Sequence, residues 1–390
     1  MNMSANMLQL HDCSGFYGAE AVILNLSTAM KGTAYNPIVG CIMDGGQSSP
    51  DLGIAAEQSG LDVEYLPMSM KADPLIIHRI ARLVKRRAVR MIHAHGYKSN
   101  MIGLIAASIS RVPVVATNHL FPPMPLDNRR LQYYSRIDAG FTMKHLDRII
   151  AVSDDIRQKL IGRGLEPSRI SVIKNGIDIE AFGPRDGFRS KELRKSLNID
   201  DGRFVIGTLG RLTTQKGHGF LLEATQRIVA KGLPVTLLIA GDGFLRSRLE
   251  EQARDLGIAG QVRFLGYRKD AGDLLRIMDL FVLPSIDEGL PMVMLEAMAA
   301  RTPVLVTSVG DIPRVIKDNE NGVLVRPGDS TLLTGDILRL INDRSLRDRL
   351  ADNAFRTVAR FHSKEAMCAD YLSLYDACLA EAGWSGKAAA

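Results

Sequence analysis

Short apolar, β-branched runs alternate along this chain with stretches whose apolar residues recur at helical spacing. In the front half, Met7–His11, Pro37–Ile42, Val63–Pro67, Met91–Ala94, Pro113–Thr117, Ile149–Val152 and Ile170–Ile173 predict strands, and Ala19–Met30, Pro74–Val89 and Ser99–Ser110 predict helices between them. Residues 183–202 are polar, with Pro184 and several glycines, and read as a linker with a short solvated helix. The alternation then restarts. Strands are predicted at Phe204–Leu209, Val235–Ala240, Val262–Leu265, Leu280–Leu283, Val304–Thr307 and Val323–Val325, and helices at Gly219–Lys231, Phe244–Leu256, Pro291–Ala300 and Leu332–Asn342. Strand–helix alternation of this kind builds parallel sheets covered on both faces. The expectation is therefore two doubly wound α/β domains, 1–183 and 184–361, with their strands' carboxyl ends meeting across a cleft. Open sheets of this type bind ligands at those ends.

Composition narrows the class. The chain has 390 residues, 46% hydrophobic and 24% charged, an ordinary globular balance that excludes disorder as the dominant state. No apolar run approaches the ~18 residues of a spanning helix, and the first residues lack the regions of a signal peptide. Cys13, Cys41, Cys368 and Cys378 form no CxxC pair, so neither a zinc site nor a disulfide framework is indicated, and a reducing cytoplasm is the expected home. The net charge is +6, and residues 1–185 carry 21 basic against 16 acidic residues. That field suits phosphorylated substrates or an anionic membrane; simple solubility charge explains it as well. Nucleic acid is not an expected partner, because no aromatics interleave the basic residues.

Three segments carry chemistry. His11 to Glu20 follows the first strand and opens a helix, with Gly15 and Gly18 three apart. It is either an anion-binding turn or a plain strand-to-helix turn, and it is not the GxGxxG dinucleotide fingerprint. Gly210-Arg211 to Lys216-Gly217 follows another strand. Arg211 offers a fork and Lys216 a compact charge, and the two can converge on one diphosphate. Pro284 to Met298 is the most informative: Pro291 suits the first helical position, so the N–H groups near Leu290–Val293 face any anion placed there. Glu288 lies before that helix and Glu296 within it, spaced so that one carboxylate reaches the sugar end of a ligand and the other its ribose end.

The segment from Glu288 to Glu296 resembles the E-x7-E motif of retaining GT-B glycosyltransferases of the GT4 class. Asn175-Gly-Ile-Asp178, Gly210-Arg211…Lys216-Gly217, Gly241-Asp-Gly243 and Val262-Arg-Phe-Leu-Gly266 resemble further motifs of that family, in its order. The resemblance spans nearly the whole chain. It implies the GT-B fold, with a last helix of about 362–380 crossing back onto the front domain. It implies that Arg211 and Lys216 bind a donor diphosphate, that Glu288 holds the transferred sugar and Glu296 the ribose, and that Gly289, Leu290, Met292 and Val293 supply backbone N–H groups. It further implies that Gly210 and Gly241 belong to the donor loops, that Leu265 meets the base, and that His119 lies near the reacting carbon. Gly15 and Gly18 would face the donor phosphate or the acceptor. The implied reaction is metal-independent, retaining transfer from a nucleoside-diphosphate sugar, which is a co-substrate; no cofactor is expected. The expected acceptor is a glycan or a lipid-linked molecule, in polysaccharide or glycolipid synthesis.

The basic stretch Lys71–His93, with seven Lys/Arg and one Asp, reads either as a helix lying on anionic lipid or as an ordinary covering helix. A GT-B epimerase and a non-catalytic nucleotide-sugar binder stand as alternatives. A nicotinamide dehydrogenase lacks its fingerprint here.

Overall fold

The computed structural model describes residues 4–12, 18–44, 50–68, 73–119, 138–182 and 187–384. Gly15, Cys13, Lys71, residues 183–186 of the expected linker and residues 385–390 lie outside them. In chain order the elements are β1 (Ala5–Asp12), α1 (Gly18–Ala29), β2 (Tyr35–Asp44), α2 (Asp51–Gln58), β3 (Asp62–Met68), α3 (Leu75–Arg86), β4 (Val89–His95), α4 (Tyr97–Ser110), β5 (Val114–Asn118), β6 (Arg148–Ala151), α5 (Asp154–Gly162) and β7 (Ile170–Val172). After them come α6 (Gly187–Ser196), β8 (Phe204–Leu209), α7 (His218–Val229), β9 (Val235–Ala240), α8 (Arg246–Asp255), β10 (Val262–Gly266), α9 (Ala271–Ile277), β11 (Leu280–Leu283), α10 (Met292–Ala299), β12 (Val304–Thr307), β13 (Val323–Val325), α11 (Ser330–Asn342), α12 (Arg344–Phe361) and α13 (Lys364–Glu381).

The chain divides into two units, Met1–Ile177 with Lys364–Ala390, and Asp178–Ser363. In the first, seven parallel strands run in the order β3-β2-β1-β4-β5-β6-β7; in the second, six run β10-β9-β8-β11-β12-β13. Each order reverses beside its first strand, between β1 and β4 in one sheet and between β8 and β11 in the other. At such switch points the flanking loops part and leave a crevice. The sequences of these strands explain their depth. Val235–Ala240 is buried at every position, as a strand covered on both faces requires. The second unit's core joins Ile206, Leu237, Ile239 and Val282 of the sheet to Leu221 and Ile228 of α7 and Ile337 of α11.

Local chemistry sets the helix ends. Ser153 caps α5 by accepting from the Ile156 amide, as the Asp154-Asp155 start leads one to expect. The basic stretch is shorter as a helix than its composition suggests. It ends at Arg86, Ala88 takes a left-handed φ of 48°, and Val89 begins β4. Arg86 bonds Glu64, Arg87 bonds Asp62, and Arg79 donates to the Pro67 carbonyl, so part of its charge is neutralised by its own sheet. Helix α13 belongs to the first unit: it packs on α1, and Tyr371 and Tyr375 are among the largest fully buried side chains. No helix among the described residues is long and apolar enough to cross a membrane.

Candidate active site

In the second unit, the loops after β8 and β11 flank the switch point and are stitched together. The Ile286 amide donates to the Gln215 carbonyl at 2.7 Å, and the Gln215 side-chain amide donates to the Asp287 carbonyl at 2.9 Å. Two glycines permit the close approach. Gly217 has φ +65°, and a Cβ there would lie 2.1 Å from the Pro284 carbonyl oxygen; Gly310, in the loop after β12 with φ +54°, would place one 2.0 Å from the Glu288 carbonyl oxygen. Any side chain would force these loops apart.

The result is a direct ion pair between two residues 72 positions apart: Lys216 Nζ donates to Glu288 Oε1 at 2.5 Å. Ser285 Oγ donates to the same oxygen at 2.7 Å, and the Thr307 hydroxyl donates to the Ser285 carbonyl at 2.6 Å. Glu288 is 6% exposed, and the Lys216 ammonium and Ser285 hydroxyl satisfy a carboxylate oxygen so enclosed. The stem of Lys216 runs beside Gly210. Arg211 is exposed at the start of the same loop. Behind Lys216, His218 is buried; burial first, then the Lys216 charge, push its imidazole down to about 4.

Gly289 and Leu290 lead into α10, which Met292 and Val293 begin; its N-cap position is Pro291 and carries no side-chain cap, so its start can offer amides to an outside acceptor. Glu296 is half-buried on α10 and has no hydrogen-bond partner among the described residues; burial pushes its carboxyl up to about 7. On the other flank, the Gly241 amide donates to the Gly266 carbonyl at 2.7 Å, and the β9–β10 register shifts between Phe264 and Gly266. Leu265 is the residue skipped at that shift. Lys216, Glu288, Gly210 and Gly289 are thus brought to one switch point, with Gly241 just after β9 and Leu265 near the end of β10 on the same sheet edge.

The first unit holds the other expected residues. Gly18 opens α1 and His119 follows β5; Gly15 lies outside the described residues. Sequence reasoning missed the polar cluster beneath them. His11 at the end of β1 places Nε2 2.9 Å from Glu20 Oε1 and Nδ1 2.7 Å from the His95 carbonyl oxygen. Both partners accept, so this geometry favours hydrogens on both ring nitrogens and thus the imidazolium form of His11. Burial lowers its pKa, but Glu20's hydrogen bond and charge, with the carbonyl and Asp12, outweigh that and raise it. His95 Nδ1 lies 3.0 Å from His119 Nε2, and His95 Nε2 2.9 Å from Gln9 Oε1. The H-A-H spacing of β4 was the available signal, since alternate residues of a strand share a face. Ser285, Gln215, Thr307 and Gly310 were also missed; only Ser285, three residues before Glu288, had a local cue. Among the described residues no group of three or more His, Cys, Asp or Glu is placed to hold a metal ion.

Comparison with known proteins agrees with this layout. The family description "Glycosyl transferases group 1" matches residues 189–357, and "Glycosyltransferase Family 4" matches residues 16–181. An uncharacterised glycosyltransferase of Methanocaldococcus jannaschii is 30% identical over 296 residues, 73% of this chain and 74% of that one. The chain belongs to this glycosyltransferase family. A second relative of the transferase is the Escherichia coli UDP-Gal:alpha-D-GlcNAc-diphosphoundecaprenol alpha-1,3-galactosyltransferase, 28% identical over 316 residues, 76% of this chain and 81% of the relative. Anabaena HepE, solved in complex with UDP-glucose, superposes with a TM-score of 0.84 at 23% identity, covering 95% of this transferase and 99% of HepE. That likeness establishes the fold, two parallel-sheet Rossmann-like domains of GT-B type.

Proposed function

We propose that this glycosyltransferase moves a sugar from a nucleoside-diphosphate donor, with retention and without a metal ion, to a glycan or lipid-linked acceptor. The Lys216–Glu288 pair at the β8/β11 switch point carries the reading. Departure of the sugar leaves negative charge on the diphosphate. Lys216, Arg211 and the uncapped start of α10 offer cationic and N–H groups to that charge in fixed positions, which is how transition-state charge is stabilised without reorganisation. Glu288 accepts from the transferred sugar's hydroxyls, and Glu296, with no hydrogen-bond partner among the described residues, accepts from the ribose. The backbone at Leu265, where the β9–β10 register shifts, meets the base edge, and His119 is assigned to the sugar.

The two relatives named for their donors, or solved with one, carry UDP-sugars, so a uridine donor is the first choice. The Escherichia coli relative's lipid-diphosphate acceptor supports a lipid-linked one here. Exposed Arg82, Lys85 and Arg90 around α3 leave enough charge for transient contact with an anionic leaflet at the cytoplasmic face. Co-sedimentation with phosphatidylglycerol vesicles at low salt tests that contact, and absence of binding removes it.

The main test is transfer measured by UDP release with a panel of donors and extracted lipid-linked acceptors. Lys216→Ala and Glu288→Gln are expected to lower kcat/KM by about 100-fold or more, as loss of a charge-stabilising group does. Near wild-type turnover in folded variants overturns the site. NMR of the product's anomeric carbon against the donor's decides retention.

A further inference from the structure

We propose that Gln9 is the hub of a buried hydrogen-bond relay that locks His119 in the Nε2–H tautomer, so that His119 presents a bare Nδ1 as an acceptor for a sugar hydroxyl. Gln9 and His95 are then positioning residues of the transferase. The role of the acceptor rests on the functional reading above; the tautomer does not.

The direction of each bond follows from what each atom can do. Gln9 lies on β1 and is wholly buried, with its amide nitrogen 3.3 Å from the Tyr375 hydroxyl and 4.0 Å from Met30 Sδ. Sulfur is only an acceptor at such a distance, which suits the NH₂ end and puts the carbonyl end toward His95. That carbonyl oxygen cannot donate, so His95 Nε2 must carry a hydrogen. His95 is fully buried and has no acidic partner among the described residues; burial, followed by the neighbouring imidazoles, drives its pKa well below the ordinary value, and it is neutral. A neutral imidazole has one N–H, so His95 Nδ1 is bare. His119 Nε2, 3.0 Å away, must therefore donate. Burial also pushes His119 down to about 3, so its single hydrogen is spent on His95 and its Nδ1 is left bare. That Nδ1 has no partner among the described residues.

The other arm of the amide follows from the same orientation, which the acceptor-only sulfur of Met30 favours. Its NH₂ donates to Tyr375 of α13, and the Tyr375 hydroxyl, 2.6 Å from His93 Nδ1, donates in turn. His93 Nε2–H then donates to Thr117 Oγ1 at 2.7 Å. Each step is consistent with the last. Reversing Gln9 would reverse every one of them, including the imidazole at the end. Strands β1, β4 and β5 and helix α13 thus cooperate to settle one proton. A bare acceptor suits a polyol, whose hydroxyls donate; it does not suit a phosphate, which only accepts.

Ring-nitrogen NMR of protein labelled in its histidines, with His119 assigned by its loss in His119→Asn, reads the tautomer directly in the intact chain without substrate. The expected spectrum has a protonated Nε2 and a bare Nδ1 for His119; a protonated Nδ1 overturns the relay. In Gln9→Met, which keeps length and loses both polar ends, the His119 signals should become those of mixed tautomers, and kcat/KM should fall about tenfold, the worth of one hydrogen bond. An unchanged His119 tautomer in Gln9→Met overturns Gln9 as hub. His95→Asn retains an oxygen acceptor where Nδ1 stood, so it should keep the wild-type tautomer at His119. Expected tautomers with undiminished transfer in Gln9→Met overturn the catalytic use of the relay while leaving the Lys216 and Glu288 results to judge the transferase site by themselves.

Discussion

Replacing Glu296 with glutamine should make the protein more stable and a worse donor binder, and the two effects share one cause. The carboxyl sits on α10 without a hydrogen bond among the described residues, and burial lifts its pKa from 4.5 to about 7. The gap corresponds to about 3 kcal/mol of cost for the charged form in the folded state, an upper bound because the side chain is only half-buried. In the unfolded chain the group releases its proton near the ordinary value. Between about pH 4.5 and 7 the folded state therefore holds a proton that the unfolded state has lost, and stability drains away as pH rises across that window. The amide of the Glu296→Gln variant does not titrate. In urea unfolding of Glu296→Gln and wild type, side by side, the variant's advantage should be near zero at about pH 4 and grow with pH, to no more than about 3 kcal/mol at about pH 8. Reading the difference between the two proteins cancels titrations elsewhere. Calorimetry at the same upper pH should show roughly tenfold weaker binding of a UDP-sugar to the variant, since an amide offers one accepting oxygen where a carboxylate offers two. Parallel pH profiles for the two proteins would refute the reasoning, because they would mean the carboxyl is as well solvated folded as unfolded.

His11 should titrate above its ordinary value of 6.5 in ring-proton NMR, and Glu20→Gln should bring the midpoint down; a wild-type midpoint at or below 6.5 would contradict an imidazolium held between two acceptors. The sign for stability follows: the pair's contribution is complete below about pH 6.5 and is lost as pH rises through the folded value. Gly310→Ala should destabilise the second unit by more than about 1 kcal/mol, which a left-handed non-glycine residue costs alone, because the new methyl also meets the Glu288 carbonyl. It should weaken donor binding with it, and a melting midpoint matching wild type would show that the loops part at no cost.

The strands were legible because parallel strands buried on both faces need uninterrupted β-branched and apolar runs, and Phe204–Leu209, Val235–Ala240 and Leu280–Leu283 stand in the structure at the bounds their composition marks. Helix α12 went unassigned: its buried positions include Ala351 and Ala354, small residues among many charges, so its apolar stripe is faint. Arg87 falls in the helix predicted over Pro74–Val89 and Arg90 in the basic stretch Lys71–His93, yet the chain turns at Ala88 to enter β4, a tertiary demand that no local propensity records. Lys216 and Glu288 stood out in the sequence through short motifs, but their pairing did not, since it depends on which strands become neighbours. The relay was hidden altogether. Gln9 and Tyr375 lie 366 residues apart, and neither carries a local sign of the other.

Helix α13 returns to the first unit after the whole of the second has been made. Tyr371 and Tyr375, which fill the space beside Gln9, His93 and Thr117, leave the ribosome only after every strand of both sheets. The amino-terminal lobe consequently waits, with polar and apolar gaps unplugged, until its neighbour has been synthesised, and its maturation is tied to that synthesis. Long delays before distant segments meet expose such intermediates to chaperones and proteases. A premature stop ahead of Tyr371 would cripple the lobe that was synthesised first.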